Sequence, residues 1–147
     1  MIREINEADL VPCCKLLIDA YNCSPWDNHW DISTSLRYLK EYFEADRFVG
    51  FLAQDQTEVV AAIFAHEKTW WTKDELYIDE LYVANKMQGK GFGGQLLEKV
   101  EVYSKDNNLG GITLLTDKCM PSAKFYHRKG FAKAKHVLFM YKTMKIK

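Results

Sequence analysis

The segment Gln88-Gly89-Lys90-Gly91-Phe92-Gly93-Gly94 places its glycines at the head of a stretch with helical periodicity. Glycine carries no Cβ, so its backbone N–H can approach a ligand closely, and a helix N-terminus carries partial positive charge. Together these features bind a diphosphate without needing side-chain charge, and Lys86 and Lys90 add Coulombic attraction. Gly89, Gly91 and Gly94 also fit the GxGxxG pattern of dinucleotide folds, with Asp117 as a ribose-binding acid. Two facts oppose that reading. Ala84 to Gln88 separate the preceding strand from the first glycine, and residues 95–147 are too few for the rest of a doubly wound sheet. A P-loop is also excluded, because Lys90 is not followed by Ser or Thr in a GxxxxGK frame.

A second set of residues suits a cationic amine. Asp79 and Glu80 lie on the strand-like run before the glycines, Tyr21 closes a helical stretch, and Trp26, Asp27, Trp30, Asp31, Trp70 and Trp71 gather in aperiodic segments. Carboxylates pair with ammonium groups, and tryptophan faces attract them by about 0.5–2 kcal/mol. The net charge of zero argues against a nucleic-acid partner, yet it hides an asymmetry. Residues 1–85 hold 16 acidic and 7 basic side chains, whereas residues 86–147 hold 4 and 13. Two such walls would suit a cationic acceptor and an anionic donor, unless they are only solvated faces.

These groups need elements to hold them. Ile2 to Ile5 reads as a strand, and Asn6 caps a helix carrying Leu10, Cys14, Leu17, Ile18 and Tyr21 at helical spacing. Residues 23–31 read as a loop, and a helix follows from about Ser33. Arg47–Gln54 and Val59–Glu67 form a hairpin, then Glu75–Val83 a strand, Gly91 to about Asn108 a helix and Gly111–Asp117 a buried parallel strand. Pro121 opens a short helix ending at Gly130, and Phe131–Met144 reads as strand-like. The order predicts one α/β domain over residues 1–147: a mixed, mostly antiparallel sheet flanked by helices. With 48% hydrophobic residues the chain can bury a core. No run is long enough to span a membrane and no signal peptide is evident, so the chain reads as soluble and cytoplasmic. The four cysteines and four histidines show no ligand spacing, which predicts reduced, buried thiols and no metal.

Gln88-x-x-Gly91-x-Gly93 resembles the Q/R-x-x-G-x-G/A signature of the GCN5-related N-acetyltransferases, with Leu81-Tyr82-Val83 upstream at that family's spacing. Ala123-Lys124-Phe125-Tyr126-His127-Arg128-Lys129-Gly130-Phe131 is similar to the family's A-x-x-Y-x-x-x-G-F segment. The resemblance covers about Arg3 to Met140. It implies acetyl-CoA as the acetyl donor: the backbone of Leu81, Tyr82 and Val83 pairs with the pantetheine, and Gln88, Gly89, Lys90, Gly91, Phe92, Gly93 and Gly94 hold the pyrophosphate. It also implies that the strand ending at Val83 splays from its parallel neighbour. Cys119 stands where many members carry an asparagine, and the final hairpin is short enough that a second subunit, in a homodimer, is one way to complete it.

The resemblance makes Tyr126 the general acid, since a phenol of pKa about 10 matches a thiolate of about 8.5. For the base, strict alternation puts Glu75, Tyr77, Asp79, Leu81 and Val83 on one face and Leu76, Ile78, Glu80 and Tyr82 on the other. Alternation favours Asp79, while a bulge near the splay, common in this family, would bring Glu80 into the cleft. Trp70-Trp71 followed by Ile78-Asp79-Glu80-Leu81 looks like the corresponding region of some aminoglycoside 6'-N-acetyltransferases. The expected acceptor is therefore a small cationic amine, bound by Trp26, Asp27, Trp30, Trp70 and Asp79. A protein lysine or N-terminal amine, or a catalytically silent CoA sensor, stays open.

Overall fold

The computed structural model describes residues 1–145. The chain forms two compact units, one of residues Met1–Leu115 and one beginning at Thr116. The first unit is built on a five-stranded sheet of order β1-β2-β3-β4-β5, with β1 Ile2–Glu4, β2 Phe48–Asp55, β3 Glu58–Lys68, β4 Glu75–Val83 and β5 Ile112–Leu114. The first three pairings are antiparallel and β4–β5 is parallel, which is the mixed sheet the sequence predicts.

The apolar runs of β2 and β3 are buried because helices cover both faces of the sheet. On one face lie α1 (Leu10–Tyr21) and α2 (Ile32–Phe43): the Tyr82 hydroxyl of β4 donates to the Cys13 carbonyl at 3.0 Å, and Phe43 packs edge-on to Phe48. On the other lies α3 (Phe92–Asp106), where Lys99 sits over the Phe51 ring and Tyr103 donates to Glu67 at 2.9 Å. Leu17, Leu39, Ile63, Phe64, Leu96, Leu97 and Val100 are fully buried between these layers. Cys13 and Cys14 join them as expected, but Cys119 is exposed and Cys23 half-exposed, because both lie outside the helix interior.

Helix starts are set by side chains. Asn6 accepts from the Ala8 N–H while Asp9 accepts from the Asn6 N–H, so a reciprocal box opens a 3-10 turn that leads into α1. Asp31 accepts the Thr34 N–H at 2.7 Å and starts α2. This cap uses one of the two Asp31 carboxylate oxygens.

Two strand expectations are corrected. The strand expected over Gly111–Asp117 is paired only at Ile112–Leu114, where it meets Leu76–Ile78, and Leu115 is 60% exposed. It lies at the sheet edge, so it persists only while β4 takes its hydrogen bonds. In the second unit, α4 (Pro121–Arg128) begins with proline and ends before Gly130, whose φ of 94° suits glycine. The strand expected over Phe131–Met144 is absent among the described residues. A ladder needs a neighbour for its N–H and C=O groups, and this segment instead makes a turn, Val137 N–H to Ala134 C=O, with Leu138, Phe139, Met140 and Tyr141 exposed. No helix among the described residues is long and apolar enough to cross a membrane.

Asp9 also receives both terminal nitrogens of Arg3, at 2.7 and 2.8 Å, and these bonds hold its carboxyl below the usual range. A depressed folded-state pKa contributes stability that is present above the unfolded pKa and lost as pH falls through the folded one. Asp9→Asn is expected to cost about 1.5–3 kcal/mol at pH 7. In urea titrations the gap from wild type should close as pH falls below about 4.

Candidate active site

The β3–β4 register decides where the acids point. Ala65 pairs with Ile78 and Phe64 with Glu80, so Asp79 is an extra residue on β4, a bulge. Before it, Leu76 lies opposite Glu67 on the α3 face; beyond it, Glu80 and Tyr82 reach the α1 and α2 face. The bulge therefore breaks the alternation that would have kept Asp79 with Leu81 and Val83. Leu81 aligns with Ile63 and Phe51, the row covered by Lys99 of α3, and so stands on the face opposite Glu80.

Around the bulge the side chains form a connected acid cluster. Glu80 accepts the Tyr38 hydroxyl at 2.6 Å and the Tyr21 hydroxyl at 2.9 Å, and the Tyr42 hydroxyl lies 3.3 Å from that of Tyr38. Asp79 meets His66 Nδ1 at 2.7 Å, with its own side chain only 6% exposed. Burial pushes both carboxyls above the usual range; the tyrosine donors offset part of this for Glu80, and His66 part of it for Asp79. Burial and the adjacent Glu80 drive the Tyr38 phenol far up, so it remains a neutral donor.

The tryptophans divide. Trp26 packs edge-on to Tyr21 at 5.4 Å and Trp30 lies 4.9 Å from Tyr38, so both wall the same tyrosines that hold Glu80. Asp27 is exposed beside them with φ of 52°. Trp70 and Trp71 are 49% and 85% exposed in the turn before β4.

The glycine loop follows β4 through a 3-10 turn, Asn85–Met87. Gln88 is turned inward on the chain, donating to the Val83 carbonyl and to Asn85. Gly89 and Gly91 have φ of 79° and 91°, and a Cβ added at Gly89 would meet nothing, so the loop surface is open. The first intrahelical bond of α3 is Gln95 N–H to Gly91 C=O, which leaves the N–H groups of Phe92, Gly93 and Gly94 without a helical acceptor. Lys86 is paired with Glu58, and Lys90 lies over Met87. On the other side of β4, pairing with β5 stops at Ile78, so residues 79–83 have an edge with no strand partner among the described residues.

A parallel strand pair that separates just before a glycine loop on a helix N-terminus is the arrangement expected from the sequence resemblance. The sequence model of the Acetyltransferase (GNAT) family matches residues 13–131. The chain belongs to the GNAT acetyltransferase family. Solved structures agree on the fold of this GNAT acetyltransferase. A transcriptional regulator from Bacillus halodurans C-125 is 23% identical with a TM-score of 0.79, covering 97% of this chain and 99% of its own. The aminoglycoside acetyltransferase meta-AAC0020 from an uncultured soil metagenomic sample is 18% identical with a TM-score of 0.76, over 99% and 96%. AAC(6')-Iy, in complex with the bisubstrate analog CoA-S-monomethyl-acetylneamine, is 18% identical with a TM-score of 0.75, over 98% of both chains.

Within this acetyltransferase, Tyr126 lies on α4 in the second unit, between the rings of Phe125 and Phe131 at 5.2 and 5.4 Å. Sequence reasoning missed Tyr38 and His66. Both were legible in part: Tyr38 sits one residue from buried Leu39 on α2, and His66 falls on the hairpin strand next to β4. Tyr38→Phe removes the shorter of the two hydroxyl donors to Glu80, so the Glu80 carboxyl should titrate still higher. Side-chain carboxyl ¹³C NMR against pH reads this directly, and an unchanged titration would show that the phenol does not hold the charge.

Proposed function

We propose that this protein is an N-acetyltransferase moving an acetyl group from acetyl-CoA to a primary amine of a small cationic acceptor, such as an aminoglycoside or polyamine, by direct attack in a ternary complex. The observation carrying this reading is the pair of desolvated carboxylates, Asp79 and Glu80, walled by Tyr21, Tyr38, Trp26 and Trp30, on the strand that leads into the glycine loop. Acetyl-CoA, when bound, supplies the acetyl group as a thioester. The open, positive-φ glycines and the orphan N–H groups of α3 fit its diphosphate, with Gln88 to Gly94 as the cradle. The free edge of β4 fits an extended arm along the backbone of Leu81, Tyr82 and Val83. Asp79 and Glu80 attract the ammonium, and the base acts from this cluster, directly or through a water. A backbone N–H at Leu81 or Val83 stabilises the oxyanion, and Tyr126 protonates the leaving thiolate.

Asp27 and Trp70 join the acceptor end in this reading, Asp27 next to Trp26 in the chain and Trp70 half-exposed in the turn before β4. The exposed Leu138, Phe139, Met140 and Tyr141 support a homodimer that covers them, which light scattering would read as twice the chain mass.

Release of free thiol from acetyl-CoA is the test, with kanamycin, spermidine, a lysine peptide and a peptide with a free N-terminus as acceptors. Turnover is expected to be fastest with the small polycations. A preference for either peptide would shift the reading to a protein acetyltransferase, and tight CoA binding without turnover would indicate a sensor. Tyr126→Phe should lower kcat by about 10²–10⁴. Gly91→Ala, which forces a Cβ onto left-handed backbone, should raise KM for acetyl-CoA and leave the preference among amines unchanged.

A further inference from the structure

We infer that His66 is the proton acceptor for the amine, with Asp79 as the residue that orients it. This inference rests on the acetyl-transfer reading and assigns its base. Alternation and register had left the choice between two carboxylates, but the geometry commits both elsewhere. Each oxygen of Glu80 already receives a tyrosine hydroxyl, at 2.6 and 2.9 Å, so Glu80 ties α1 and α2 to β4. Asp79 is bound at 2.7 Å to His66 Nδ1 and is 6% exposed, against 31% for the His66 side chain. The carboxylate is thus enclosed, and the imidazole is the member of the pair that reaches solvent.

An aspartate on Nδ1 fixes the tautomer in which Nδ1 carries the proton and Nε2 presents its lone pair. No hydrogen-bond partner of Nε2 occurs among the described residues. The imidazole is the member of the pair that presents a nitrogen lone pair to solvent, the kind of group that can take a proton from an amine. The register supports the placement: His66 lies opposite Tyr77 on β3, one position from the bulge that carries Asp79, and their rings are 5.5 Å apart.

Nε2 of His66 takes one proton from the ammonium, freeing the nitrogen lone pair. The N–C bond then forms and the C–S bond breaks. The second proton lost by nitrogen neutralises the thiolate through Tyr126, and His66 returns its proton to solvent. Asp79 and Tyr77 of β4 meet His66 directly, Glu80 of β4 and Tyr42 of α2 interact with that aspartate, and Lys68 and Glu75 lie one pair further along the same face.

The experiment compares wild type with His66→Gln and Asp79→Asn, using acetyl-CoA and the best amine of the panel above across pH 6–10. Glutamine can still donate to Asp79, so the fold should survive, as a thermal melt would check. The expected result is a fall in kcat of about 100-fold or more for H66Q, with KM for acetyl-CoA unchanged. The deficit should shrink as pH approaches the pKa of the amine, because free amine then arrives without help. Equal kcat/KM for wild type and H66Q at every pH overturns the inference. So does ¹⁵N NMR of the wild-type His66 ring showing the proton on Nε2, a readout that needs neither variant nor turnover. A wild type that acetylates no amine removes the acetyl-transfer reading itself, and His66's role with it, whereas turnover with an unaffected H66Q removes only the assignment of the base.

Discussion

One extra residue on β4 governs the site. Without Asp79 as a bulge, strict alternation would run from Glu75 to Val83, and Glu80 would stay on the same face as Ile78, toward α3. The bulge reverses the facing of everything after it. Glu80 and Tyr82 turn to α1 and α2, Leu81 and Val83 turn away, and the ladder to β5 ends at Ile78, immediately before it. The carboxylate cluster and the free strand edge therefore share one cause. A bulge is tolerated here because the residues around it are held on both sides: Phe64 stacks on Tyr82, and Ile78 is buried.

The glycine loop meets a different demand with backbone alone. Lys86 and Lys90 are both exposed, one in a surface pair with Glu58 and the other with its ammonium 3.8 Å from the Met87 sulfur. What the loop presents is conformation: two glycines at positive φ, open space where side chains would stand, and helix N–H groups without acceptors. Such groups are pre-aligned, so little ordering entropy is lost when an anion arrives, and the helix dipole favours negative charge at that end.

This contrast explains which features could be read in the sequence. The glycine spacing, the strand before it and the helix after it are local, and each was legible from neighbouring residues. The mixed sheet followed from the order of periodic segments. The family resemblance raised a bulge near the splay, but its position was not legible from the residues, because it depends on how β4 registers with β3, and a one-residue slip exchanges the faces. Strict alternation puts Asp79 with Leu81, and the register separates them. Asp31 shows a related ambiguity: an aspartate before a helix serves as a cap as readily as a ligand, and the Thr34 bond reveals the cap. The strand expected after Phe131 had the right composition, but composition cannot supply a partner for its ladder.

The acidity of the first 85 residues acquires a sharper meaning from the pairing pattern. Several of those carboxylates are offset by cations: Asp9 by Arg3, Glu67 and Asp74 by Arg47, Glu58 by Lys86 and Glu44 by Lys40. Glu80 is treated differently, since neutral phenols hold it. A hydroxyl donor lowers the energy of a carboxylate without cancelling its charge, whereas an arginine would leave nothing for a ligand to neutralise. The donors only partly repay the burial, so the pair of acids at the bulge is held at an energetic disadvantage that a bound cation would relieve. Natural proteins keep such a cost chiefly where it serves binding or catalysis, and here it falls on the strand that leads into the glycine loop.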